Sequence, residues 1–238
     1  MRKRIILPFF LILTLMAVGC GKEDVRGDIS NTADTEVSDV FEEKTEESAA
    51  TEEVEVVEEE LALGSNDGNV YESKFIGIGY QLDEDWSFYT DEQIMELNNA
   101  TADLAGEEYQ EMLKDAEVVY DMFAVDENGL DNINVNLEKV NPIQLLALDI
   151  VRNYETVITM MQSAYENMGY SNFEYEICTI NVDGKEVDAV RVSAEINDVQ
   201  MYQVLFMKKC SGYAANIAVT TYFEDATAHV LDNIYWLD

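Results

Sequence analysis

Four runs of alternating apolar and polar residues in the last third of the chain restrict its fold more than any other feature: Asn172 to Val182, Lys185 to Ile196, Val199 to Lys209 and Tyr213 to Tyr222. They are separated by Asp183-Gly184, Asn197-Asp198 and Ser211-Gly212, dipeptides that accept the positive φ of tight hairpin turns. A two-residue link has no length for a crossover, so each run must lie antiparallel beside the next, which predicts a meander. In the second run Val190, Val192, Ala194 and Ile196 make one buried face. In the third, Met201, Leu205 and Met207 alternate with Tyr202, Val204 and Phe206, which predicts a central strand covered on both sides.

The same turns fix a register. Cys178 falls opposite Ala189, and Ala189 opposite Phe206, so Cys210 is two strands away and four residues further along. At strand spacings of about 4.8 Å and 3.3 Å per residue, the two Cα atoms are roughly 16 Å apart, beyond the ~7 Å limit for a disulfide. Two free thiols are expected.

Upstream, Tyr71 to Phe75 and Ile76 to Leu82 read as short strands, and Thr90 or Asp91 caps a helix through Asn98. Glu107 to Ala116 reads as a further helical stretch. Glu117 to Val125 and Asn132 to Val140 predict a hairpin with Asn128-Gly129 in its turn. Asn141-Pro142 opens the longest helix, whose Ile143, Leu146, Ile150, Tyr154, Val157, Met161, Tyr165 and Met168 recur at three- and four-residue steps until Gly169 stops it. A short helix over Glu224 to Ile234 closes the chain. The fold class expected is α+β: an antiparallel sheet flanked by helices on both faces, formed by one domain over residues 71–238 that holds 21 of the 24 aromatic residues.

The N-terminus has a different character. Arg2-Lys3-Arg4 precedes an apolar run from Ile5 to Val18 and then Gly19-Cys20-Gly21, the layout of an export signal. At about 14 residues the run is short of the roughly 20 needed to cross the hydrocarbon core as a helix. Ala17-Val18-Gly19-Cys20 resembles the lipobox of bacterial lipoproteins, with Ala17 where Leu is usual. That resemblance implies cleavage between Gly19 and Cys20, lipidation of Cys20, and a place on the outer face of the cell membrane. Two or three acyl chains, at about 0.8 kcal/mol per buried methylene, anchor stably where one does not.

Residues 20–70 read as a disordered acidic linker. Between Gly21 and Val70 there are 17 Asp and Glu, against Lys22, Arg26 and Lys44, and the one aromatic is Phe41. Such a segment buries too little apolar surface to offset its ordering entropy. As a spacer of roughly 50 residues it reaches about 40 Å, and further under its own repulsion; as a solvated charge run it needs no partner. No loop has EF-hand spacing, since placing Gly68 or Gly129 sixth puts Leu63 or Ala124 first, and neither can ligate. Without residues 1–19 the chain has 11 Lys and Arg against 49 Asp and Glu, a net of about −38. This argues against nucleic acid as a partner and against adsorption to anionic lipid, leaving the lipid on Cys20 as the membrane attachment.

Several segments of the domain carry a second resemblance. Gly79-Tyr80-Gln81-Leu82-Asp83-Glu84-Asp85-Trp86, Tyr120 to Ala124, Ile133-Asn134-Val135, the helix ending at Gly169-Tyr170, Val182 to Glu186 and Tyr213 to Val219 look like the PsbP-like fold of photosystem II extrinsic proteins and related bacterial lipoproteins. Most relatives have Pro in the loop before the Trp, where Asp83-Glu84 stands here. The family implies a helix-flanked antiparallel sheet and no shared catalytic residues.

No catalytic set emerges from the residues themselves. His229 is the sole histidine; with Asp225 and Asp232 one turn away on a short helix it reads as a solvated surface residue, because a general base needs a pocket and an oriented nucleophile. Asp121, Glu138 and Asp188 are scattered, and no metal or cofactor is indicated. Trp86 reads either as a ligand-stacking residue or as a plug at one end of the core. The eight methionines of the domain read as a soft binding surface or as core filler. The expected function is a monomeric, non-enzymatic module binding a protein or small molecule at the cell envelope. The rival is a carboxylate- or metal-dependent hydrolase whose groups converge only in the fold. A solute receptor of an uptake system is disfavoured, since one domain lacks the two lobes such receptors close.

Overall fold

The computed structural model of the chain describes residues 61–96, 118–140 and 150–237. Its C-terminal third is the meander the turns require. Strands β7 (Ser171–Val182), β8 (Lys185–Ile196), β9 (Val199–Cys210) and β10 (Tyr213–Tyr222) pair in sequence order, all antiparallel. Asp183 and Gly184, and likewise Asn197 and Asp198, both take positive φ, the geometry whose twist matches the flanking strands. Cys178 pairs with Ala189 and Ala189 with Phe206, while Cys210 pairs with Tyr213. Neither cysteine is in a disulfide.

The expected hairpin joins this meander from the other side. β5 (Val118–Val125) pairs with β6 (Asn132–Lys139), and β6 lies along β10 with Asn136 opposite Asn216. A two-residue strand, β4 (Ser87–Phe88), adds to β5, completing a seven-stranded sheet in the order β4-β5-β6-β10-β9-β8-β7. The connecting loop is organised by Asp126, whose carboxylate accepts the N–H groups of Leu130 (2.7 Å) and Asp131 (3.2 Å), with Gly129 at φ +67°.

Helices on both faces of the sheet, and with them the helix-flanked arrangement implied by the PsbP-like resemblance, are not what the chain forms. One face does carry a helix, α2 (Ile150–Asn167), following a helical turn α1 at 91–96. Ile158, Met161, Ala164, Tyr165 and Met168 pack on Val190, Val192, Ala194, Ile196, Met201 and Leu205. The opposite face is covered by a second sheet. β1 (Ser65–Asp67), β2 (Val70–Ser73), β3 (Ile78–Gln81) and β11 (Ile234–Trp236) pair antiparallel in that order. Tyr71, Ile78, Tyr80 and Ile234 of this sheet share a core with Met122, Val135, Leu137, Val204, Phe206 and Ile217, closed at one end by Val230 and Leu231 of α3 (Thr227–Leu231).

The correction has a physical cause. The short strands read at Tyr71 to Phe75 and Ile76 to Leu82 do form, as β2 and β3, but strands this short do not reveal which sheet they join, and Ile234, read as the last residue of the closing helix, instead begins β11. Only pairing with β3, more than 150 residues earlier, makes it a strand. β1 lies inside the stretch read as disordered linker, and Leu61 already packs on the two-sheet core.

Local signals fare better. Thr90 Oγ1 accepts the Gln93 N–H and Gln93 Oε1 accepts the Thr90 N–H, a reciprocal cap that starts α1. At the end of α2, Gly169 at φ +90° lets the Tyr170 N–H reach back to the Tyr165 carbonyl (2.9 Å). Residues 1–60, with Cys20, lie outside the described residues, as do Glu107 to Ala116 and the Asn141-Pro142 start of the long helix.

Titration of the denatured, unreduced mature chain with a thiol reagent should give two equivalents, from Cys178 and Cys210. Recovery of none would contradict the strand order.

Candidate functional site

Trp86 is held at the seam between the two sheets. Its N–H donates to the Asp83 carbonyl (3.1 Å), and the chain then joins the edge of the large sheet, with Phe88 opposite Ala124 and the Tyr89 N–H donating to the Phe123 carbonyl (2.8 Å). Tyr89 and Phe123 rest ring on ring at 5.0 Å. The Trp86 side chain is half-buried against the two-sheet core, so it does plug one end. Its outer part lines an open cleft of about 640 Å³ between this loop and the β1–β2 turn. The wall combines three aromatic side chains, Trp86, Phe88 and Tyr89, with three carboxylates, Asp83, Glu84 and Asp91; among the described residues lining it there is no Lys, Arg or His.

His229 stands just outside. Its ring is 72% exposed and Nε2 is 3.4 Å from Asp83 Oδ2, an oxygen that also accepts the Asn233 amide (2.9 Å). The expected neighbour Asp225, just ahead of α3, turns instead to Thr227, accepting its hydroxyl (2.6 Å) and N–H (3.2 Å). No group of three His, Cys, Asp or Glu able to hold a metal ion occurs among the described residues.

A second polar region was not foreseen. Asn132, Asn134, Asn136 and Glu138 alternate with Ile133, Val135 and Leu137 along β6. Such alternation ordinarily means a half-solvated strand, yet all four polar residues are buried on the side of the sheet that faces away from the second sheet. Beside them Gln203 accepts the Tyr165 hydroxyl (2.7 Å) and donates to Thr220 Oγ1 (2.7 Å), and the Asn216 amide donates to Asn136 Oδ1 (3.1 Å). Asn134 Oδ1 and Asn136 Nδ2 have no partner among the described residues. The signal for this was the unbroken Asn-x-Asn-x-Asn-x-Glu repeat; what hid it was that burial of the polar side depends on tertiary packing.

The carboxylates named from sequence do not converge. Asp121 turns toward the second sheet, Glu138 toward the opposite side, and Asp188 is exposed. Burial raises Asp121 above the ordinary carboxylate range, against the opposing hydrogen bonds from Tyr71 and Gly64. Asp131, half-buried and close to the Asp126 and Glu224 carboxylates, is pushed up to about 6 mainly by desolvation, with the Tyr222 N–H at 2.9 Å opposing the shift. Both serve the fold: Asp131 ties the β5–β6 loop to the end of β10.

No family model matches the chain, and no curated protein matches it. Among solved structures it is similar to one described as the crystal structure of LpqN involved in cell envelope biogenesis of Mycobacterium tuberculosis, at 10% identity and a TM-score of 0.37, covering 68% of this chain and 83% of that one. A likeness of this size carries no argument about fold or function.

The raised Asp131 gives a pH signature. The folded state holds this proton more tightly than the unfolded chain does, so its contribution to stability is fully present below the ordinary value of 3.8 and is lost as pH rises through about 6. Against Asp131→Asn, which is neutral throughout, the wild-type chain should lose relative thermal stability between pH 4 and pH 7. An unchanged difference in melting midpoint across that range would show that Asp131 titrates alike in both states.

Proposed function

We propose that this chain is a lipid-anchored protein of the cell envelope, attached through Cys20, whose folded domain is a non-enzymatic binding module with the Trp86 cleft as its ligand surface. The observation that carries the reading is the make-up of that cleft. Aromatic faces attract cations through their quadrupole, carboxylates attract them by charge, and here both line one concave wall. The ligand class it fits is a cationic group, such as a substituted ammonium or a basic peptide side chain. Anions would meet Asp83, Glu84 and Asp91 with no opposing charge in the wall. The export signal and the lipobox-like Ala17 to Cys20 support the anchored placement.

Two experiments test the two halves separately. Cys20→Ala should abolish acylation and leave the chain either released from the membrane fraction or uncleaved; an unacylated N-terminal peptide in the wild-type protein would overturn the anchor. For the cleft, the chain has two tryptophans, so its indole N–H resonances report two places independently. Titrating the full mature chain with tetramethylammonium chloride should move the Trp86 signal saturably, and Glu84→Gln with Asp91→Asn should weaken the response several-fold. A response no larger than that to sodium chloride at equal ionic strength sinks the cleft reading.

A further inference from the structure

Among the described residues the basic side chains are unevenly placed. Lys74, Lys139, Lys185, Lys208 and Lys209 gather at the end of the molecule where β2 turns into β3, β7 into β8 and β9 into β10. The Trp86 cleft is at the other end of the β2–β3 hairpin, beside Asn69 and Leu82. At the basic end sits Trp236, in the last position of β11 and paired with Ile78. Its ring is fixed: Nε1–H donates to the Val182 carbonyl (2.8 Å), and its backbone N–H donates to Asp183 Oδ2 (3.0 Å).

Two ammonium groups converge on that ring. Lys185 Nζ is 4.7 Å and Lys208 Nζ 5.1 Å from its centroid. Lys208 Nζ also lies 3.5 Å from the Gly77 carbonyl, and a Cβ at Gly77, where φ is +72°, would come within 2.8 Å of the same nitrogen. The turn therefore leaves Lys208 its place. Among the described residues neither lysine forms an ion pair with a carboxylate, in a chain with 49 Asp and Glu against 14 Lys and Arg. Two carboxylates at this end are otherwise engaged: Asp183 with the Trp236 N–H, and Glu72 with the Tyr235 hydroxyl at 3.1 Å. Burial lowers the pKa of Lys208, with Cys210 opposing the shift and the charge of Lys185 adding to it. Like charges brought together in an acidic protein are unfavourable, and an anion between them would turn that repulsion into attraction.

We propose that Lys185, Lys208 and the Trp236 ring form a binding site for a phosphate-bearing group. Two ammonium donors match the charge and the several acceptor oxygens of a phosphate, and the indole edge gives its organic substituent an apolar surface. The chemistry is shared by a soluble phosphate ester and a lipid headgroup. The site is independent of the Trp86 cleft, and its polarity is opposite.

The test uses the indole N–H resonance of Trp236 in the full mature chain, held in nanodiscs of phosphatidylcholine. Inorganic phosphate and glycerol 3-phosphate are titrated in separate runs, and in a third the discs contain phosphatidylglycerol. The proposal expects the Trp236 resonance to move in at least one run while that of Trp86 stays in place. Movement with the soluble probes identifies a soluble phosphate, and movement with phosphatidylglycerol alone identifies the headgroup. Lys185→Gln and Lys208→Gln should each weaken the response about tenfold, the loss of one charge-assisted hydrogen bond, and Lys208→Arg should restore most of it. No movement beyond that produced by sodium chloride at equal ionic strength, or full movement retained in the double Gln variant, overturns the proposal.

Discussion

The Asp121 carboxylate joins the two sheets, and most of the architecture depends on that joint. β5 carries an irregularity between Tyr120 and Met122; the extra residue there turns its side chain out of the alternation. Asp121 thereby reaches across to the four-stranded sheet, accepting the Gly64 N–H at 2.6 Å and the Tyr71 hydroxyl at 2.7 Å. Tyr71 is fully buried, and desolvation, with the Asp121 charge beside it, drives its hydroxyl pKa far up, so it remains a donor at any ordinary pH. Gly64 is required for the approach: a Cβ there would meet the Tyr71 ring and lie 2.9 Å from the Glu72 carbonyl. Together with the Trp236 hydrogen bonds to Val182 and Asp183 at the opposite end of the small sheet, this contact supplies the direction that apolar packing, which is non-directional, does not.

That orientation sets what the two ends of the molecule present. Once β2 and β3 lie across the large sheet, the β1–β2 turn faces the loop carrying Trp86, and the acidic aromatic cleft opens between them. At the other end of the same hairpin, Gly77 and Trp236 meet the turns of the meander, where the lysines collect. A net charge near −38 for the chain without residues 1–19 conceals this separation. Charges more than about 8–10 Å apart are largely screened at physiological salt, so local clusters, more than the total, govern what each end attracts.

The parts of the fold legible in sequence are those fixed by neighbours along the chain. Asp183-Gly184 and Asn197-Asp198 set turn geometry within two residues, and everything about the meander, including the separation of Cys178 from Cys210, follows by counting. Gly169 ended α2 for an equally local reason. The candidate site was legible only in part. Trp86 could be singled out because a flanked aromatic in an acidic loop has few uses, but its companions Phe88, Tyr89 and Asp91 had no common pattern with it. The polar row of β6 was visible as a repeat, but alternation reports two different sides and not which of them is wet.

The sequence by itself therefore determined the meander, its register, the β5–β6 hairpin, the start of α1 and the end of α2, because each rests on φ preferences and hydrogen bonds spanning a few residues. Only the tertiary structure decided that a second sheet, and not helices, covers one face; that Asn132 to Glu138 are buried; and that two lysines share one tryptophan ring. These outcomes depend on pairs such as Gly64 with Asp121, Ile78 with Trp236 and Gly77 with Lys208. Such contacts lie dozens to more than a hundred residues apart, where no local preference acts and the energy of the closed chain alone selects the partner.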